Sequence, residues 1–210
     1  AGRWSDRLGA RKPIVVADPE SPDGLAQYLP EFAARYPQLR VVHLPLDARY
    51  HRNRGVGINR AFDVSSGQVI VSIDGDIVFA PGTLERLERE VLRDPNQVLG
   101  LRRVFVDRAE TERILSGQVD PFADFERLAA STGDGEENSL VGVLGYCQAV
   151  HRTAFARARY PEEFDRVNQS DIVFVERLAA RAGVRPRFLD TERALHLWHP
   201  RNWMGTSELL

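Results

Sequence analysis

The stretch VIVSIDGDIVFAP, residues 69–81, ends a run of β-branched residues in two aspartates separated by one glycine. Side chains two apart in a strand point to the same side, so Asp74 and Asp76 can converge on a single ligand. Carboxylates this close repel each other, and a divalent cation relieves the repulsion; oxygen donors of this kind suit magnesium, manganese or calcium. Gly75 lets a ligand approach the backbone. The same tripeptide also fits an ordinary solvated Asp-Gly turn. Other residues carry similar double readings. Arg49, Arg52 and Arg54 sit in one basic loop, where they either stay solvated or meet a diphosphate through charge-assisted bonds. His196 and His199 are either packed histidines or ligands. Asp171, at the start of a helical pattern, is either an acid favoured by the helix dipole or a proton acceptor. Trp198 and Trp203 suit a core or a stacking face for a sugar. Cys147 is the only cysteine, and nothing near it in the sequence would activate its thiol.

Strands and helices must hold these side chains in place. Residues 14–17 read as a short buried strand running into a polar turn, and Leu25, Tyr28, Leu29, Phe32 and Ala33 follow at helical spacing with Asp23 as a cap. A strand over 39–46, a short helix within 56–66 and a strand over 68–74 complete a β-α-β-α-β alternation. That alternation predicts a largely parallel sheet covered by helices. Such sheets bind ligands at the carboxyl ends of their strands, which is where Asp74 and Asp76 fall. A helix over 81–94 with Leu84, Leu87, Val91 and Leu92 on one face precedes a strand over 97–106. Residues 107–138 read as two short helices and an acidic loop inserted over a sheet edge. A glycine-rich strand over 139–150, a short helix and a longer helix from Ser170 to Gly183 follow, then strands near 186–190 and 193–199.

Composition narrows the classes. With 43% hydrophobic and 28% charged residues in 210, the chain has the make-up of one soluble folded domain. A net charge of −2 gives no general attraction to nucleic acid or an anionic membrane. Lys12 is the only lysine, so nearly all cationic contacts must come from arginine, which favours planar, bidentate partners. A single cysteine excludes an internal disulfide and a multi-cysteine zinc site. No apolar run approaches the roughly 20 residues that span a bilayer, and the first residues lack the apolar segment of a signal peptide. A cytoplasmic protein without a transmembrane segment is expected.

From Asn59 the chain reads NRAFDVSSGQVIVSIDGDIVFAP, which closely resembles the family 2 glycosyltransferases, with Asn59, Gly67 and Asp74 at matching spacing. Upstream, NRGVGIN (53–59) is similar to the family's Asn-Arg…Asn segment. IVVADPESPDG (14–24) is similar to its nucleoside-binding segment, although Pro19 and Glu20 replace the usual second acid and glycine. GYCQAVHRTAF (145–155) resembles a strand of members with a galactosyltransferase-like C-terminal module. YPEEFDRVNQSDIVFVERLAARAG (160–183) is similar to the acceptor-side motif, with Ser170 in place of a glutamate and Gln169 in place of a glycine. ALHLWHP (194–200) resembles the late strand whose histidine completes a metal site, and His196 matches that position better than His199.

The resemblance covers Ile14 to Pro200 and implies a GT-A nucleotide-diphospho-sugar transferase fold. It implies one domain over 1–210, with a nucleotide-sugar-binding half at 14–106 and an acceptor and catalytic half at 107–210. The implied activity is inverting, metal-dependent transfer of a sugar from a nucleotide-diphosphate sugar to a hydroxyl of a glycan or small molecule. Asp18 would bind the nucleoside, Arg54 the phosphates, and Asn59 would lie near the donor. Asp74 would contact the ribose or a metal-bound water, Asp76 and His196 would hold Mn2+ or Mg2+, and Asp171 would be the catalytic base. One departure stands out. The family begins with a strand and helix ahead of the segment matched by IVVADPES, and the natural protein is expected to carry that strand in a preceding segment. Without it, both strands that would flank it are expected to show unpaired edges. Two other readings compete: a non-catalytic sugar-nucleotide or glycan-binding module, and a haloacid dehalogenase-like phosphatase, whose nucleophile strand VSIDGDIVF also resembles. The second needs a later lysine, and none follows Lys12.

Overall fold

The computed structural model describes residues 13–131, 145–164 and 169–200. Strands β1 (Pro13–Asp18) and β2 (Arg40–Pro45) pair in parallel, from Pro13 opposite Arg40 to Asp18 opposite Pro45. Helix α1 (Leu25–Arg35) joins them. The cap position expected for Asp23 is taken by Gly24, at φ 83° and with no side-chain cap bond, while Asp23, one residue earlier, accepts the Leu25 N–H at 3.1 Å. Helix α2 (Arg54–Val64) starts two residues earlier than its apolar pattern suggests. The reason is Asn53, whose side-chain oxygen accepts the Val56 N–H at 3.1 Å and so brings Arg54 into the first turn.

The remaining elements are β3 (Val69–Ile73), β4 (Ile77–Phe79), α3 (Thr83–Arg93), β5 (Gln97–Phe105), α4 (Arg108–Leu115) and α5 (Phe125–Ser131). After them come β6 (Cys147–His151), α6 (Arg152–Ala158), α7 (Ser170–Ala182) and β7 (Arg185–His196). The five strands β3-β6-β5-β7-β4 form one sheet in that order. It corrects the parallel arrangement read from the alternation. β6 runs antiparallel to both β3 and β5, β4 runs antiparallel to β7, and only β5 and β7 are parallel. Alternation reports that helices separate strands, not from which end of the sheet each strand enters. β6 enters from the opposite end, and the three-residue β4 leaves β3 at the Asp74–Asp76 turn to pair with β7. The two late strands predicted separately are one twelve-residue strand, with a pairing irregularity opposite Leu101 and Arg102.

The sheet is covered on both faces. On one, Leu87 and Val91 of α3 pack on Leu99, Leu101, Cys147 and Ala149. On the other, Phe155, Tyr160, Phe174 and Leu178 pack on Val98 and Val150. Each fully buried leucine or phenylalanine here contributes about 1.5–3 kcal/mol. β1 and β3 each sit at the end of their own sheet, and both line one cleft of ≈ 2220 Å³. Among the described residues no strand pairs with the facing edges of β1 and β3, in agreement with the unpaired edges expected from the sequence. The acidic loop at 132–138 and Trp203 lie outside the described residues.

Candidate active site

The turn that carries Asp74 and Asp76 is pinned at both ends. The Asp74 N–H donates to the Tyr146 carbonyl at 3.1 Å, and the Asp76 carbonyl accepts from the Leu197 N–H at 2.9 Å. This second bond sets the turn beside the end of β7, where Asp76 Oδ2 lies 3.4 Å from His196 Nε2 and 3.1 Å from His199 Nε2. One donor atom from each of these three side chains lies within 4.8 Å of the others. His199 joins the set from beyond the end of β7. Burial lowers the pKa of His196, as do the positive charge of Arg103 and neighbouring His199, and together they outweigh the pull of Asp76; the ring is therefore held neutral, the form that ligates metals. Asp76 Oδ1 and His196 Nδ1 are both buried with no hydrogen-bond partner. A one-carboxylate, two-imidazole set with such an unsatisfied oxygen fits a divalent cation.

Arg54 Nη2 lies 2.7 Å from Asp74 Oδ1 and also donates to the Gly145 carbonyl. Burial raises the pKa of Asp74; the charge of Arg54 opposes this, and those of Asp76 and Asp171 add to it. Asp171, in the first turn of α7, accepts the Gly145 N–H at 2.7 Å with Oδ2 and its neighbour Ile172 N–H at 3.0 Å with Oδ1. Gly145 is thus held by Arg54 through its carbonyl and by Asp171 through its N–H. Arg103 lies over the rings of Phe105 and Tyr146, at 4.4 and 4.8 Å. Asp74, Asp76, Arg54, Arg103, Gly145, Asp171, His196, Trp198 and His199 all line the cleft that runs between β1 and β3.

Two residues expected at the donor, Asn59 and Asp18, are buried and do not themselves line the cleft. Asn59 is 3% exposed, and both of its N–H donors are engaged: Nδ2 donates to the Tyr160 carbonyl at 3.0 Å and to Glu162 Oε1 at 2.8 Å, while Oδ1 accepts the Tyr160 N–H at 3.0 Å. It does not line the cleft: both of its N–H donors are taken within the protein, and its oxygen already accepts one bond. Asp18 is 2% exposed at the end of β1, where its carboxylate accepts the Ser21 N–H at 2.8 Å and lies 3.1 Å from His43 Nε2. Its neighbours Ala17 and Pro19 line the cleft. The helix expected to be capped by Ser170 begins instead after Gln169, at φ 71°, and Ser170 is buried. Cys147 is buried in β6, and burial, then the charge of Asp74, pushes its thiol up to about 12, which leaves it unreactive. Gly145, Gln148 and Tyr160 escaped the sequence reading, because their contacts cross the fold.

Comparison with known proteins follows the same line. Residues 7–158 match the family model for glycosyl transferase family 2. No curated protein matches the sequence. Among solved structures, a mannosyltransferase, PcManGT from Pyrobaculum calidifontis in complex with GDP-Man and Mn2+, is 18% identical with a TM-score of 0.63, covering 92% of this chain and 50% of its own. S. aureus TarS 1-349 in complex with UDP-GlcNAc is 17% identical with a TM-score of 0.60, covering 94% and 52%. GalNAc-T7 with UDP, GalNAc and Mn2+ is 8% identical with a TM-score of 0.61, covering 94% and 39%. The fold is the GT-A fold of these structures, and the chain spans about half the length of the first two. Among the described residues no helix is long and apolar enough to cross a membrane.

Proposed function

The chain belongs to glycosyl transferase family 2, and from that premise we propose that it transfers a sugar from a nucleotide-diphosphate sugar to an acceptor hydroxyl, with inversion at the anomeric carbon. The observation that carries this reading is the convergence of Asp76, His196 and His199 with Asp74, Arg54 and Asp171 in one cleft.

Asp76 and His196 are the proposed ligands of a Mn2+ or Mg2+ ion, and His199 joins them. When bound, such an ion neutralises charge on the leaving diphosphate. Arg54 and Arg103 bring guanidinium charge to the same wall of the cleft, suited to phosphate oxygens. Asp74, held by Arg54, faces the ribose or a metal-bound water, and Asp18 supports the nucleoside end. Asp171 keeps free lone pairs beyond the two N–H bonds that orient it, and takes the proton from the acceptor hydroxyl as that oxygen attacks. Of the relatives, PcManGT is seen with GDP-Man and TarS with UDP-GlcNAc, which supports a nucleotide-sugar donor here.

The test is a thermal-shift panel of UDP, GDP and dTDP sugars with and without Mn2+, followed by release of nucleoside diphosphate from the donors that bind. Asp171→Asn is expected to keep donor binding and lose roughly 10²–10⁴-fold in turnover. Normal turnover by that variant removes Asp171 from the base role, and stabilisation by donors without turnover in the native protein favours a binding module.

A further inference from the structure

We infer that Asn59, Tyr160 and Gln148 form a buried polar strut that fixes Asp171, so that Tyr160 and Gln148 are positioning residues for transfer; the inference rests on the reading of Asp171 as the base.

The strut starts on α2. Asn59 clamps the backbone of Tyr160 from both sides, accepting its N–H and donating to its carbonyl, each at 3.0 Å across 101 residues of sequence. Tyr160 is 1% exposed, and its hydroxyl donates to Gln148 Oε1. Its ring stacks on Phe174 of α7 at 4.3 Å between centroids. Gln148, also 1% exposed, lies on β6 and donates from Nε2 to the Asp171 carbonyl at 3.4 Å. The chain of contacts therefore crosses from α2 through β6 to the first turn of α7.

The need for it lies in how α7 begins. Gln169 precedes the helix in the left-handed region and contributes no side-chain cap, so the first turn is held by the bonds of Asp171 to the Ile172 and Gly145 N–H groups and by contacts from the sheet. Gln148 supplies the hold from the sheet, and Phe174 on Tyr160 supplies it from the next turn. Three buried polar side chains cost desolvation that apolar residues would not, and a satisfied network of this kind fixes one arrangement. The same helix that anchors the strut carries Arg54, the partner of Asp74. Asn59 thereby sets the base against the donor side of the cleft without touching a ligand.

The experiment uses Tyr160→Phe, which keeps the stack on Phe174, and Gln148→Met, which keeps the volume. Nucleoside diphosphate release is measured from UDP-GlcNAc and GDP-mannose with Mn2+, on whichever turns over faster in the native protein. The expected result is a fall in kcat of roughly 10–100-fold with donor KM within about 2-fold. Amide exchange at Asp171 and Ile172 should speed up while that of Leu178 and Leu99 stays slow. Unchanged kcat in folded variants overturns the inference. So does a parallel change of kcat and KM, or exchange that rises evenly through the core, since both mark a general packing role. Asp171→Asn runs alongside: if it turns over normally the base reading fails, and the exchange measurement still decides whether the strut holds Asp171.

Discussion

Arg54 Nη2 lies 2.7 Å from Asp74 Oδ1, which ties the first residue of α2 to the residue that follows β3. The pair sits among Asp76 and Asp171, whose charges raise the pKa of Asp74 and of Arg54 alike. Arg54 is therefore the counter-ion of the acidic cluster before it is a phosphate contact. Arg54→Met should destabilise the protein by about 1–3 kcal/mol, below the figure for a fully buried pair because Asp74 keeps over a third of its exposure. Arg54→Met combined with Asp74→Leu should recover part of that loss, because no unpaired carboxylate is left behind. Urea denaturation of the four proteins of the cycle measures the coupling; additive losses would mean that the two residues do not stabilise each other.

Two imidazoles and one carboxylate make a donor set softer than the all-oxygen cages that magnesium and calcium prefer. Calorimetric titration should therefore show Mn2+ binding well ahead of Mg2+. His199→Ala should weaken Mn2+ by roughly 10-fold or more, and Asp76→Ala should abolish it. Equal affinities for the two ions, or a His199 variant that binds as the native protein does, would take His199 out of the ligand set.

A Cβ added at Gly145 would fall 2.8 Å from Arg54 Nη1 and 2.9 Å from the Asp171 Cβ. The arginine end can swing away, but the Asp171 Cβ is fixed to α7. Gly145→Ala should thus displace Asp171, the proposed base, more than it disturbs the fold, with a stability loss of about 1–3 kcal/mol and a larger loss in turnover. Thermal midpoint and nucleoside diphosphate release, measured on the same preparation, separate the two. By contrast Gly55→Ala, whose Cβ would meet the Pro161 carbonyl oxygen at 1.9 Å, should unfold the α2 contact outright.

The convergence of Asp76 with His196 was legible because these residues lie in short motifs: Asp74 and Asp76 share a turn, and His196 closes a strand that pairs with β4. Asn59 was expected near the donor, and the structure shows it buried against the Tyr160 backbone instead of in the cleft lining. A sequence shows the amide but not the Tyr160 backbone that occupies it, 101 residues away. Strand direction escaped for the same reason, since residues 147–151 read alike whether the chain enters β6 from one end or the other. His196 was preferred to His199 because it leads the apolar residues of its strand, yet His199, beyond the end of β7, lies as near to Asp76 as His196 does.

Asp18 offers a test against acid. Burial raises its pKa, but the backbone and side-chain hydrogen bonds of Ser21 and the hydrogen bond and charge of His43 outweigh it, so the folded value lies below the ordinary 3.8. Between those two values the unfolded chain binds a proton that the folded chain does not. The stabilisation by Asp18 is therefore complete above about pH 3.8 and is lost as pH falls through the folded value. Asp18→Asn removes the titrating group while keeping the shape. Thermal midpoints of the native protein and the variant, followed from pH 5 downwards, should differ by a constant amount at first and converge below pH 3.8. A difference that stays constant across the whole range would mean that the carboxylate of Asp18 gains nothing from Ser21 and His43 on folding.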